Sequence, residues 1–251
     1  MWEKLIRRLP ISILLLLPIT SFASNPAVED ALNHARKLIK NKKANLALPY
    51  LNKANSLDPD NPEARLLRAD ILVQLDECPE ALKDLDVVFK HGKNDQAYAY
   101  RSQVMFALGE PKKALEDMSV AISMATNEES RAYRLQRRAE LYRFLKQPEK
   151  ALEDLNTAMT LKNVPNPNVA SMVLLKRRAY TYMDMGDYKR AIADYTAVLA
   201  MTKPNDLGRA RNYAMRAAAY EKIGRHDLAE ADRKKSKVAT DKDWVDCLDP
   251  K

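Results

Sequence analysis

The chain has 251 residues, of which 30% are charged and only 5 are Gly, and its net charge at neutral pH is +8. So little glycine leaves few positions for φ > 0 turns, which argues against β-sandwiches, barrels and glycine-rich phosphate cradles. Three His and two Cys cannot furnish a conventional His/Cys zinc cluster or a disulfide framework, so the composition points to a helical protein with no metal, no cofactor and no catalytic set.

Residues 1–23 read as a secretory signal. Lys4, Arg7 and Arg8 outweigh Glu3, an apolar run follows from Leu9 to Ile19, and small residues at Ser21 and Ala23 suit cleavage after Ala23. Bounded by Pro10 and Pro18, the run is shorter than the ~20 residues a spanning helix needs. The expectation is export, to a bacterial periplasm or beyond the cell, with no membrane span left after cleavage. No Asn-X-Ser/Thr sequon occurs, which fits a periplasm.

Beyond the leader the chain repeats. The alanines of ALPYL, ALKDL, ALEDM, ALEDL, AIADY and LAEADR are Ala47, Ala81, Ala114, Ala151, Ala191 and Ala229, spaced by 34, 33, 37, 40 and 38 residues. Twelve residues before each stands another small residue: Ala35, Ala69, Ser102, Ala139, Ala179 and Ala217. Three residues later a larger column reads Leu38, Leu72, Met105, Tyr142, Tyr182 and Tyr220. Apolar positions recur at three and four, so each unit predicts two amphipathic helices whose axes approach over the small residues. Gly109, Gly186 and Gly224, or Pro79, Pro111 and Pro148, mark the break between them. Pro59, Pro62, Pro165, Pro167 and Pro204 separate the units.

This pattern resembles the tetratricopeptide repeat, a helix–turn–helix unit of about 34 residues. The resemblance implies an all-α, right-handed superhelical solenoid over 24–240, with six repeats near 28–61, 62–94, 95–128, 132–165, 172–205 and 210–240. The first-helix Trp of the family is absent, and the late Pro is clear only at Pro59. Longer connections follow repeats four and five (161–169 and 202–207), the first a candidate joint or contact loop. Repeat six reads as an end, with Arg233 and Ser236 where earlier units are apolar.

Charge has its own columns. Arg68, Arg101, Arg138, Arg178 and Arg216 each precede the first small residue, and sixteen residues after each stands Asp84, Asp117, Asp154, Asp194 or Asp232. Repeat one lacks both, with His34 and Tyr50 in their places. These columns predict five bidentate ion pairs, each tying the two helices of one repeat together. With those arginines paired, the remaining basic residues form no stripe, and a nucleic-acid partner is not expected. The DPDNPE segment with Asp58, Asp60 and Glu63 lacks the glycine and distal carboxylate of a calcium loop and reads as a turn. His34, His91 and His226 lie in different repeats, and no nucleophile elbow supports a Ser/His/Asp set.

In the family the first helices line a concave groove for an extended peptide or a partner helix. Carried over by position, the groove residues are Leu66, Asp70 and Val73 in repeat two, and Gln96, Gln103 and Phe106 in repeat three. Repeat four adds Tyr133, Gln136, Glu140 and Arg143. Repeat five adds Lys176, Tyr180 and Met183, and repeat six Arg211 and Glu221. Phe106, Tyr133 and Tyr180 have the alternative of packing between neighbouring helices. The family's carboxylate clamp is not reproduced. The resemblance thus implies a non-enzymatic scaffold for a protein or peptide ligand, of open oligomeric state; the alternative is an accessory or regulatory subunit of an envelope enzyme or polysaccharide machine that contacts wall polymer. Cys78 and Cys247 lie four repeats apart, at ~10 Å per packed layer. An internal bridge would need the tail 241–251 to fold back, so free or intermolecular thiols are expected. Trp244 could dock that tail, which is otherwise a disordered end.

Overall fold

A computed structural model describes residues 25–163, 166–203 and 208–237. The leader and its cleavage point, the tail with Trp244 and Cys247, and the centres of both long connections lie outside the described residues.

Among the described residues, twelve α-helices form six consecutive hairpins. They are α1 Pro26–Lys40 and α2 Leu48–Leu57, α3 Pro62–Gln74 and α4 Cys78–Lys90, and α5 Asp95–Ala107 and α6 Pro111–Ser123. Then come α7 Glu128–Phe144 and α8 Pro148–Thr160, α9 Pro167–Asp184 and α10 Tyr188–Met201, and α11 Gly208–Lys222 and α12 His226–Lys237. A 3₁₀ turn, Ala44–Ala47, precedes α2, and no strand occurs among the described residues. The fold is all-α and right-handed superhelical.

The first helices share a start signal that the alanine columns do not reveal. Asn25, Asn61, Asn94 and Asn127 each accept a backbone N–H of the first turn at 2.9–3.0 Å, satisfying a donor the helix itself leaves open. Asn166 holds the same place before Pro167, in the left-handed region at φ 49°. In hairpins two and three the asparagine lies eight residues before the small residue; in hairpins four and five it lies twelve and thirteen before. α7 and α9 therefore gain about one turn, running 17 and 18 residues against 13 for α3 and α5. They start at 128 and 167, ahead of the repeat starts near 132 and 172. The added turn of α7 carries Glu128, whose carboxylate accepts the Lys162 and Asn163 amides at 3.1 and 2.6 Å and pins the start of the long connection.

Every hairpin turns the same way. The residue five before the second alanine has a left-handed φ: Lys42, Asp76, Gly109, Lys146, Gly186 and Gly224. Its amide donates to the carbonyl three residues back, and the next amide donates to the carbonyl five residues back, at 2.8–2.9 Å, on Leu38, Leu72, Met105, Tyr142, Tyr182 and Tyr220. This double bond closes a helix on a left-handed residue. Glycine enters that conformation without strain; Lys42, Asp76 and Lys146 hold it against a steric penalty.

All twelve small residues of the two columns are at most 1% exposed. Their missing bulk lets the two helices of a hairpin touch. Ser102 keeps its hydroxyl satisfied there by donating to the Ala114 carbonyl at 2.7 Å, across the same contact. Leu51, Leu85, Met118 and Leu155 fill the flanks, each contributing roughly 1.5–3 kcal/mol by burial. The core clusters join neighbours: Ala97 of α5 packs with Leu85 and Val88 of α4, and Leu174 of α9 with Leu155 and Ala158 of α8. The core is thus a strip along the array, and no hairpin completes its share alone. Two pairs of successive first helices also meet, α3 with α5 and α7 with α9, whereas among the described residues no two second helices make such extensive contact. The stack therefore bends toward the first helices, which line its inner face.

Candidate functional site

The inner face is held in place by a ladder of charge. In hairpins two to six one guanidinium donates Nε and Nη2 to the two oxygens of one aspartate. The pairs are Arg68–Asp84, Arg101–Asp117, Arg138–Asp154, Arg178–Asp194 and Arg216–Asp232, at 2.7–2.9 Å. The aspartates are buried. Hydrogen bonding to the carboxylate raises the pKa of each of these guanidiniums. In hairpin one, where both columns lapse, the His34 and Tyr50 rings stack at 5.2 Å and 6°.

Two parts of this ladder escape a reading by columns. Arg65 adds its Nη1 to Asp84 at 2.7 Å, so that carboxylate serves two arginines. The free Nη1 of four ladder arginines reaches back to the previous hairpin: Arg68 to Asn52, Arg138 to Ser119, Arg178 to Asn156 and Arg216 to Thr196, at 2.8–3.2 Å. All four acceptors stand five residues after the second alanine of their hairpin. Asp86 holds that place before Arg101, which instead lies over the Phe89 ring at 4.5 Å. One guanidinium thus ties its own hairpin and docks the hairpin before it, which fixes the pitch of the stack.

The predicted groove residues divide by environment. Phe106 and Tyr133 are 40% and 53% exposed, and Gln96 is exposed. Phe106 stands edge-on to the 59% exposed Phe144 at 4.9 Å. A hollow of about 120 Å³ opens beside it, lined by Gln103, Phe106, Arg137 and Glu140. Leu66, Asp70, Val73, Gln136, Lys176 and Met183 are half-buried. Leu66 packs on the Ala69–Leu85 cluster. Asp70 holds the Tyr100 hydroxyl, whose pKa is pushed up chiefly by burial. Arg143 donates Nε to Asp184 of the next hairpin at 2.7 Å. Tyr180 turns partly inward, edge-on to Tyr195 at 5.9 Å, taking the packing alternative. Arg134, which the column reading passes over, is 4% exposed; it pairs with Asp95 at 2.7 Å and donates to the Ala121 carbonyl.

Other chemistry is sparse. Among the described residues no group of three or more His, Cys, Asp or Glu could hold a metal ion, and no helix is long and apolar enough to cross a membrane. Cys78 is a free, buried thiol; burial first, then Asp76, pushes its pKa up, which makes it a poor nucleophile. His226 pairs with Glu221 on the surface, and their hydrogen bond lowers the Glu221 pKa.

Profiles of the tetratricopeptide repeat match residues 38–103, 132–164 and 177–205, about half of the chain. Among solved structures, PilW, a widely conserved type IV pilus biogenesis factor, superposes with a TM-score of 0.72 at 15% identity, over 86% of this chain and 94% of that one. Pseudomonas aeruginosa PilF gives 0.65 at 14% identity, over 82% and 89%. YrrB, a repeat protein with an unusual peptide-binding site, gives 0.55 at 19% identity, over 74% and 90%. No curated protein matches the sequence significantly.

Proposed function

The chain belongs to the tetratricopeptide-repeat family, and from that premise we propose that it is an exported, non-enzymatic scaffold holding an extended segment of a partner protein on its inner face. Repeats of this family serve generally as protein-binding scaffolds. The observation that carries the finer reading is the pair Phe106 and Tyr133, 40% and 53% exposed on the first helices of adjacent hairpins, with the hollow between α5 and α7 beside Phe106. Exposed aromatics flanked by amides such as Gln96 and Gln103 offer both apolar contact and backbone hydrogen bonding, the mixture that anchors an extended chain. Export rests on the leader-like residues 1–23, and the fold likeness to pilus biogenesis factors suits an envelope assembly role.

Recovery of partners from envelope extract by the wild-type protein and by a Phe106→Ala/Tyr133→Ala variant tests this. Neither side chain belongs to the buried core, so a variant whose helical circular dichroism and melt match wild type should lose at least one stoichiometric protein partner. Equal recovery of every protein by both forms, or retention by wall polymer with no protein partner, would overturn the reading.

A further inference from the structure

Four residues after the second alanine, hairpins one to four bury Leu51, Leu85, Met118 and Leu155; hairpin five buries Tyr195. Tyr195 is 0% exposed, and its hydroxyl has no hydrogen-bond partner. A phenol in a leucine position adds a polar atom that the repeat does not call for, and buried polar atoms ordinarily find partners. What lies around that hydroxyl is charge. Burial raises its pKa, and it feels Tyr180, Arg143, Arg211 and Asp184.

Three consecutive first helices converge there. The Tyr180 ring of α9 carries Arg143 from α7 at 5.6 Å and Arg211 from α11 at 5.8 Å. Asp184 answers Arg143, but Arg211 is exposed and has no carboxylate in ion-pair reach among the described residues. On the neighbouring stretch, Arg137 and Arg177 share Glu140 at 2.8 Å each. These four guanidiniums face two carboxylates. Earlier on the same face, Asp70, Gln96 and Gln103 give no cationic excess.

We infer that the inner face of hairpins four to six binds an aspartate or glutamate side chain of the partner segment, seated between Arg143 and Arg211 beside the Tyr180 ring. The Tyr195 hydroxyl, buried and unpartnered while the face is empty, donates to the same carboxylate once the ligand displaces what covers it. One unanswered guanidinium suits a singly charged group, and a fork of N–H donors meets a carboxylate at two points. This inference rests on the inner-face reading and adds the chemistry of its ligand.

The test uses the full-length chain and a randomised pool of amidated decapeptides, which carry no terminal carboxylate. Selected peptides should be enriched in Asp or Glu at one register. Replacing that residue by Asn or Gln, or making Arg211→Gln in the protein, should each weaken binding about tenfold, as the loss of one charged hydrogen bond does. Raising salt should weaken binding as well. Tyr195→Phe, which removes only the unpartnered hydroxyl and so keeps the fold, should weaken acidic peptides and leave their Gln counterparts unchanged. Peptides without acidic enrichment that bind Arg211→Gln as well as wild type, yet are lost with Phe106→Ala, would overturn this inference and leave the inner-face reading standing. Failure to select any peptide, or binding indifferent to both Arg211→Gln and Phe106→Ala, would overturn both.

Discussion

Asp84 offers the sharpest test of what holds the hairpins at their spacing. Its side chain is 0% exposed and accepts three hydrogen bonds of 2.7 Å, one from Arg65 and two from Arg68. Asp84→Ala removes the one carboxylate that, among the described residues, pairs with these two guanidiniums, which are 18% and 21% exposed. Breaking a fully buried pair costs about 3–5 kcal/mol. Because both arginines regain some hydration at their exposed edges, the lower end applies, about 3 kcal/mol. For a chain of this size that lowers Tm by on the order of 10 °C. Asp117→Ala should cost less, about 1–2 kcal/mol: its pair is more exposed, at 11% and 31%, and its single arginine keeps the faces of Phe89 and Tyr98. Urea unfolding read by helical circular dichroism measures both, with m compared across variants because repeat arrays can lose cooperativity. The triple change Arg65→Met and Arg68→Met with Asp84→Leu should recover part of the loss, since a buried charge cluster replaced by apolar groups leaves no orphan charge. An Asp84→Ala variant within 1 kcal/mol of wild type, or a larger loss from Asp117→Ala, would refute the reasoning.

Two further predictions follow from departures within the columns. At the left-handed turn positions, Lys146→Gly should raise stability by about 0.5–1 kcal/mol and Gly109→Ala should lower it by about 1 kcal/mol. A methyl on Gly109 would meet no atom within 4 Å, so backbone conformation alone sets the loss, and thermal melts should show opposite shifts. Asn55 stands where later hairpins have Phe89, Ile122, Met159 and Leu199, and both its side-chain polar atoms are buried without a partner. Asn55→Leu, close in shape, should therefore stabilise by about 1–2 kcal/mol, and a lower urea midpoint would contradict that account.

Phase was legible in the sequence because each hairpin is a local object. The stretch that runs from the first helix through the turn into the second has constant length, so a residue and its partner across that turn keep a fixed offset; twelve residues separate the small columns and sixteen separate Arg from Asp. Contacts between hairpins have no such offset. The connections differ in length, so Arg68 lies 16 residues from Asn52, Arg138 lies 19 from Ser119 and Arg178 lies 22 from Asn156. Counted from the nearest alanine the acceptors fall into line, a signal that was present in the chain. The capping asparagines are also written there, but their shift by a turn in hairpins four and five hides them from a fixed period. What sequence could not decide is which side chains of the inner face remain available. Phe106, Tyr133 and Tyr180 look alike as letters on first helices; only the packed neighbours leave two in solvent and turn the third against Tyr195. Helical hairpins are chosen by short-range periodicity, whereas burial and charge at a shared face depend on residues that only stacking brings together.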